Sequence, residues 1–221
     1  MNFITCQLLN SEELEIILEN LNKEDCLWED GKQTAGKHAA EVKNNLQLKR
    51  DSELSRKFSG LITKKILGNE LIKSFALPKK IHGTMFSKST SGMKYGRHID
   101  NAYMSSGRAD LSFTIFLNPK NKYEGGALSI MNLNSEEKFK LNAGEIIIYP
   151  STYLHSVEEV LEGERLVFIG WIESYIKSIE EREYLFDLDA AARSLLAKYG
   201  RSEEVDLIFK SYSNFLRRLG S

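Results

Sequence analysis

The stretch Asn142-Ala-Gly-Glu-Ile-Ile-Ile-Tyr-Pro-Ser-Thr-Tyr-Leu-His155, continued by Ser156-Val-Glu-Glu-Val-Leu-Glu-Gly-Glu164 and Arg165-Leu-Val-Phe-Ile-Gly-Trp171, decides the fold. Asn142-Ala-Gly144 is a turn signal, and Glu145–Tyr149 is a short β-branched run that stops at a proline. Glu162-Gly163 is a second turn, and Arg165–Trp171 a second apolar strand. Working outward, Ile81–Phe86, Leu111–Leu117 and Ala127–Met131 have the same character. Ser91-Gly92, Asn118-Pro-Lys-Asn121 and Gly125-Gly126 separate them. Short strands with such turns predict an antiparallel sandwich or barrel.

Helical periodicity flanks this β block. Ser11-Glu12-Glu13 reads as a helix start, followed by Leu14, Ile17, Leu18 and Leu21 on one face. A second pattern runs over 52–75 through Leu54, Phe58, Leu61, Ile62, Ile66 and Leu71, with Pro78 beyond its end. The polar stretch from Trp28 to about Arg50 predicts loop and short strand. After Trp171 helix is expected again, first through Ile172, Ile176 and Ile179, then through Leu195, Leu196 and Tyr199, then through Leu207, Phe215 and Leu219. The fold class is α+β with a mainly β core. The expected organisation is one structural unit: a helical and mixed support at 1–80, a core at 81–174, and a helical extension at 175–221.

The chain has 221 residues, 42% hydrophobic and 28% charged, an ordinary globular composition of single-domain size. No apolar run approaches a membrane span, and the first residues lack the basic and apolar regions of a signal peptide. Cys6 and Cys26 form no C-x-x-C pair and read as thiols of a reducing compartment, so a cytoplasmic location is expected. The net charge of −1 conceals −7 over 1–31, +11 over 32–97 and −5 over 98–221. The basic segment could face an acidic partner. Nucleic acid is disfavoured because no aromatic residues interleave with its charges.

Of four histidines, His38 and His82 have no acidic or histidine neighbour at ligand spacing and read as structural or surface residues. His98 and Asp100 stand two residues apart, so on extended backbone both can reach one ion. His155 follows the strand Glu145–Tyr149. Two histidines and a carboxylate on one face of a divalent metal make the facial triad of non-haem Fe(II) oxygenases, which leaves positions open for a chelating co-substrate and O2. Arg165 opens an apolar strand and, once buried, needs an anion. A guanidinium matches a carboxylate through paired, charge-assisted hydrogen bonds. The dicarboxylate 2-oxoglutarate meets both demands, its keto-acid end at the metal and its far carboxylate at Arg165.

The series Tyr95-Gly-Arg-His-Ile-Asp-Asn101, Arg108-Ala-Asp-Leu-Ser-Phe-Thr-Ile-Phe-Leu-Asn118, Tyr123-Glu-Gly-Gly-Ala-Leu128, Leu141–His155 and Arg165–Trp171 resembles the iron- and 2-oxoglutarate-dependent dioxygenases of the prolyl/lysyl hydroxylase class. It is most similar to the bacterial PKHD-type hydroxylases, over nearly the whole chain, with Val42-Lys43-Asn44-Asn45 and Leu185-Phe-Asp-Leu-Asp189 also matching. The resemblance implies a double-stranded β-helix, a cupin-like jelly roll, with N-terminal supporting helices and a helical C-terminal segment. It implies hydroxylation of a C–H with release of succinate and CO2, using Fe(II), 2-oxoglutarate and O2, supported by L-ascorbate.

By position, His98, Asp100 and His155 would bind iron and Arg165 the co-substrate. Asp100 as a carboxylate points to hydroxylation, because halogenating relatives have a small residue there. If Phe116 faces inward, Ser112 and Thr114 share its side. Thr114 would then supplement Arg165 or simply be a β-branched strand residue. Tyr95 would line the mouth or pack as an ordinary aromatic, and Trp171 would cover the iron pocket or belong to the core. Arg108 lies in a stretch similar to the substrate-holding loop of prolyl hydroxylases. Many relatives carry a tyrosine shortly before the first iron ligand, where Lys88 and Ser89 stand here, and 87–94 is expected to be a mobile loop. The expected substrate is a prolyl residue of a protein or peptide. The alternatives are a free amino acid or other small metabolite, or a metal-binding cupin-like module without turnover. A monomer or weak homodimer is expected.

Overall fold

The structure, a computed structural model, describes residues 3–23, 26–34, 36–132 and 135–221. It begins with β1 (Ile4–Gln7), α1 (Ser11–Leu21), β2 (Trp28–Asp30), α2 (Lys37–Glu41), β3 (Lys43–Asn44), β4 (Leu46–Leu48), α3 (Glu53–Gly68) and α4 (Glu70–Ala76). A β block follows with β5 (Pro78–Thr90), β6 (Lys94–His98), β7 (Tyr103–Met104), β8 (Gly107–Arg108), β9 (Leu111–Phe116) and β10 (Tyr123–Gly125). It continues with β11 (Leu128–Met131), β12 (Glu136–Phe139), β13 (Glu145–Pro150), β14 (Leu154–Val157) and β15 (Val160–Ser174), and α5 (Ile179–Tyr199) and α6 (Glu203–Leu219) complete the order.

The strands form a jelly roll of two antiparallel sheets, with β7 and β8 paired as a separate hairpin. The larger has the order β1-β13-β9-β15-β5-β4-β2, with β10 also paired to β15. The smaller is β12-β11-β14-β6-β3. The period of two sorts their side chains. On β13, Ile146 and Ile148 join Phe113, Ile115 and Phe168 in the core beneath the helices. Ile147 and Tyr149 point the other way, into the space between the sheets with Phe116 and Val167. Leu14, Ile17 and Leu21 of α1, and Phe58, Ile62 and Ile66 of α3, close the helical side. Each such fully buried side chain contributes about 1.5–3 kcal/mol.

Several expectations are corrected. The 52–75 helix is two helices broken at Asn69, whose N–H caps the last turn of α3 while its side chain accepts from Ile72 N at the start of α4. No helix follows Trp171 directly. Ile172 pairs with Ile81 and Leu111 within β15, and helix resumes only after the N-cap Ser178. Residues 87–94 are not a loop: β5 continues to Thr90 because Ser87, Lys88 and Ser89 pair with Val167, Leu166 and Arg165. Polar composition hides this strand because Ser87 and Ser89, both buried, face a polar cavity. The stretch 28–50 contains α2 as well as the short strands β2, β3 and β4.

Helix α5 docks on α4 through the edge-to-face pair Phe75–Phe186 at 5.6 Å and the Ser74 hydroxyl, which donates to Asp189 at 2.6 Å. Among the described residues, no helix is long and apolar enough to cross a membrane. His82 is structural as expected, buried between the Ser106 hydroxyl and the Arg108 carbonyl, each at 2.9 Å. The side chain of His38 lies outside the described residues.

Candidate active site

Strands β6 and β14 are neighbours in the smaller sheet, and His98 and His155 are paired directly across them. Asp100 follows two residues after His98, where the chain leaves β6. One ligand atom from each of the three residues lies within 4.8 Å of the others. His98 Nδ1 lies 2.8 Å from the Gly96 carbonyl and His155 Nδ1 lies 3.0 Å from the Tyr153 carbonyl. A carbonyl only accepts, so both Nδ1 atoms carry a proton, and Nε2 is the ring nitrogen each histidine can offer to a metal. Burial, and then the neighbouring His155, lower the pKa of His98 to about 4, which keeps its imidazole neutral as a ligand must be.

Asp100 Oδ2 is 3.7 Å from His155 Nε2 and accepts from the Ser112 hydroxyl at 2.6 Å. Ser112 in turn shares a hydrogen bond with Ser151 at 2.7 Å. These hydroxyls orient the carboxylate. Ser112→Ala is expected to weaken Fe(II) binding by roughly 10–100-fold, the range for loss of a group that supports a metal ligand. Metal titration of the purified variant measures this, and an affinity equal to wild type would remove Ser112 from the site.

The triad opens on a cavity of about 460 Å³ between the sheets. Arg165 reaches into it from β15, only 3% exposed. Among the described residues no carboxylate lies within ion-pair distance of its guanidinium, and its Nε has no hydrogen-bond partner. Burial pushes its pKa down, opposed by the phenols of Tyr123 and Tyr149. The guanidinium lies over the Phe116 ring at 5.5 Å. Gly126, at φ +65°, gives it room: a Cβ there would come within 3.1 Å of Arg165 Cδ. A buried, uncompensated cation is costly, and a carboxylate arriving in this cavity would satisfy it. Two imidazoles with one carboxylate suit Fe(II) with open positions, and the buried guanidinium with its unpartnered Nε suits the far end of 2-oxoglutarate. The residues present therefore fit both groups.

The structure brings Tyr95, Thr114 and Trp171 into the same cavity. Tyr95 stacks on His98 with ring centroids 3.6 Å apart. Thr114 meets the phenol of the buried Tyr149. Trp171 packs on Gly83, whose φ of +64° and lack of a Cβ are both needed, since a Cβ would sit 2.5 Å from the indole. Arg108 does not line the cavity. Its Nε binds Asp110 at 2.7 and 3.0 Å, its Nη2 donates to the Ser174 carbonyl at 2.8 Å, and Glu173 lies at 3.7 Å. These bonds tie down the loop behind the site rather than present a hand to substrate. Sequence reasoning missed Ser151, Tyr149, Tyr123, Lys43 and Asn45. Lys43 and Asn45 stand two apart in Val42-Lys-Asn-Asn45, which on extended backbone puts both on one side.

Comparison with known proteins agrees with this geometry. Residues 84–173 match the 2OG-Fe(II) oxygenase superfamily, and residues 180–220 match the PKHD-type hydroxylase C-terminal domain. A PKHD-type hydroxylase of Prochlorococcus marinus strain MIT 9215 is 73% identical over 220 residues, covering 100% of both chains. That of strain MIT 9312 is 72% identical over 221 residues, again covering 100% of both. Among solved structures, a Pseudomonas putida prolyl-4-hydroxylase superposes with a TM-score of 0.58 at 17% identity, covering 78% of this chain and 92% of that one. A Trichoplax adhaerens prolyl hydroxylase, in complex with a peptide fragment of the hypoxia inducible factor oxygen degradation domain, gives 0.58 at 16% identity, covering 83% and 86%. The cofactors of this class are Fe(II), 2-oxoglutarate and O2, with ascorbate characteristic of the PKHD-type enzymes. Sequence, fold and cavity converge, and the chain belongs to the PKHD-type hydroxylases of the 2-oxoglutarate- and Fe(II)-dependent oxygenase superfamily.

Proposed function

We propose that this enzyme hydroxylates a prolyl residue of a protein or peptide, with His98, Asp100 and His155 holding Fe(II) and Arg165 holding the far carboxylate of 2-oxoglutarate. The observation that carries the reading is the buried Arg165 guanidinium, unpartnered at Nε, in the same cavity as three ligand atoms within 4.8 Å of one another. Bound there, Fe(II) supplies the O2 chemistry that couples conversion of 2-oxoglutarate to succinate and CO2 with insertion of one oxygen into a C–H bond.

The chain's own residues do the placing. Both Nδ1–H bonds fix the imidazoles, Ser112 fixes Asp100, and Thr114, Tyr149 and Tyr123 surround the arm of Arg165. Tyr95 and Trp171 wall the reaction chamber and limit water. Ile99 and Tyr103, 53% and 74% exposed, stand at the rim on either side of Asp100 and offer apolar surface to a substrate longer than a metabolite. The fold shared with the two prolyl hydroxylases supports the prolyl assignment. A second reading, a small carboxylate such as a free amino acid, draws on one observation, a buried lysine in the cavity. We place the enzyme in the cytoplasm, as a monomer or weak homodimer, on a sequence with two cysteines and no C-x-x-C pair.

Succinate release by protein supplied with Fe(II), 2-oxoglutarate, ascorbate and O2, with and without proline-containing peptides, tests the reading. Peptide-stimulated succinate, with one oxygen gained by a peptide, is expected. Succinate formation that peptides leave unchanged would move the substrate to the small-molecule class.

A further inference from the structure

The cavity holds a second cation that the co-substrate does not use. Lys43, on β3, is 5% exposed and lines the wall of the cavity. Its Nζ donates to the Thr34 hydroxyl at 3.2 Å and lies 5.1 Å from the centre of the Tyr95 ring, the ring stacked on His98. No carboxylate lies within ion-pair distance among the described residues. Asp100 and Asp30 act on it only from further away, and Asp100 is committed to the metal. Arg50, in the same cavity, also has no acidic partner among the described residues; it donates at long range to the Gly83 carbonyl at 3.4 Å and Met85 Sδ at 3.5 Å. Burial, and then the charge of Arg50, lower the pKa of Lys43 to about 8, so it remains largely protonated at neutral pH.

The polar groups beside Lys43 are also incompletely used. Asn45 is buried; its Nδ2 donates to Ser87 at 2.6 Å, while its Oδ1 has no partner. A buried ammonium without a carboxylate partner, in a cavity open to solvent, suits a ligand that carries negative charge, while the unused Asn45 oxygen, an acceptor, is left for an N–H or O–H of that ligand.

Strand order separates this corner from the co-substrate. In the smaller sheet the sequence is β11, β14, β6, β3. His155 and His98 occupy the two middle strands and Lys43 the edge strand beyond them. Arg165, on β15 of the larger sheet, packs beside Gly126, two residues before β11, which lies on the other side of β14 and β6 from β3. Along this row the strands of the metal ligands thus lie between Lys43 and the segment against which Arg165 packs. A dicarboxylate that spans from Arg165 to the metal leaves Lys43 free for another ligand.

We propose that Lys43, aided by Arg50, binds a carboxylate of the primary substrate, so that the enzyme takes an anionic substrate whose carboxylate lies close to the carbon it hydroxylates. The inference deepens the prolyl reading and rests on the same metal site. The carboxylate can be the α-carboxylate of a free amino acid or of a C-terminal residue, or the side chain of an acidic residue next to the target.

The test uses anaerobic protein loaded with Fe(II) and saturated with 2-oxoglutarate, so that Arg165 is occupied and no turnover occurs. N-acetyl-L-proline and N-acetyl-L-prolinamide, which differ by one carboxylate, are titrated calorimetrically. The acid is expected to bind at least about tenfold more tightly than the amide. Lys43→Met, which keeps the length of the side chain, is expected to abolish that preference, and Lys43→Arg to retain it. Equal binding of acid and amide, or a preference that survives Lys43→Met, overturns the proposal. The wild-type comparison needs no variant and decides the matter even where Lys43→Met does not fold.

If neither prolyl compound binds, the prolyl reading fails by itself. N-acetyl glutamate, aspartate, leucine and lysine with their α-amides, together with glutamine and asparagine counterparts, then decide the carboxylate inference. Acid preference that Lys43→Met removes supports it, and no preference, or no binding, overturns it. Preference confined to α-carboxylates identifies a free or C-terminal amino acid. Preference for side-chain carboxylates identifies an acidic sequence around the target.

Discussion

His155→Ala is expected to give a folded protein that no longer retains Fe(II) and has no 2-oxoglutarate turnover above background. The substitution removes one of three donors and leaves His98 and Asp100 alone in the site. Loss of a group that merely supports a ligand costs roughly 10–100-fold in metal affinity, so loss of the ligand itself should cost more than about 100-fold. The fold should survive because β14 is paired on both sides, by β11 and by β6, through its backbone. The core beneath the helices does not include His155. Iron content after gel filtration and succinate formation are the measurements, with far-ultraviolet circular dichroism to verify folding. Iron retained at one per chain with normal turnover would break the triad.

Arg165→Met is expected to move two quantities in opposite directions. The wild-type guanidinium is buried with no carboxylate in ion-pair distance among the described residues. Removing one partner of a buried charge pair typically costs about 2–5 kcal/mol in binding, so the 2-oxoglutarate requirement should rise by roughly two orders of magnitude. Replacing a buried, unpaired cation with an apolar side chain of similar length should stabilise the ligand-free protein. By comparison with other buried ionic groups the gain is about 1–4 kcal/mol, or a rise in melting temperature of several degrees. Added 2-oxoglutarate should stabilise the wild type and leave the variant unchanged. An unchanged 2-oxoglutarate requirement would show that the co-substrate anchor lies elsewhere.

The two halves of the site differed in how far they could be read from the chain. His98, Asp100 and His155 were legible because metal chemistry restricts the donor types, and only four histidines had to be weighed. Arg165 was legible because an arginine opening a run of six apolar or glycine residues contradicts its surroundings unless something anionic compensates it. Ser112 and Thr114 followed from Phe116 by the strand period, and the structure places all three on the inward side. Lys43 was visible in its motif but not interpretable, because a single lysine in a polar stretch looks the same whether it faces water or a cavity. Its burial is produced by β3 joining the far edge of the smaller sheet, a long-range pairing with Tyr95 that no local pattern announces. Arg108 illustrates the converse. Its place after the metal motif suggested substrate contact, yet Asp110, two residues on, and Glu173, far along the chain, engage it instead.

The secondary structure shows the same division. Apolar strands such as β9 and β13 declare themselves because one face joins the core and the other fills the space between the sheets. The second half of β5 and all of β6 do not, since their inward residues are serines, a tyrosine and a histidine that line the cavity. Function is what made these strands polar and therefore hard to recognise. The Ile172-Ile176-Ile179 spacing imitated a helix because β15 runs on to Ser174 and the following turn buries Ile176 independently.

The central claim is that one cavity holds the metal at His98, Asp100 and His155 and the co-substrate between that metal and Arg165. A crystal structure determined anaerobically with Fe(II) and 2-oxoglutarate tests it most directly. The account predicts iron bound by His98 Nε2, Asp100 and His155 Nε2, with the keto-acid end of 2-oxoglutarate on the iron and its far carboxylate on Arg165. Iron held by other residues, or a 2-oxoglutarate carboxylate anchored away from Arg165, would contradict it.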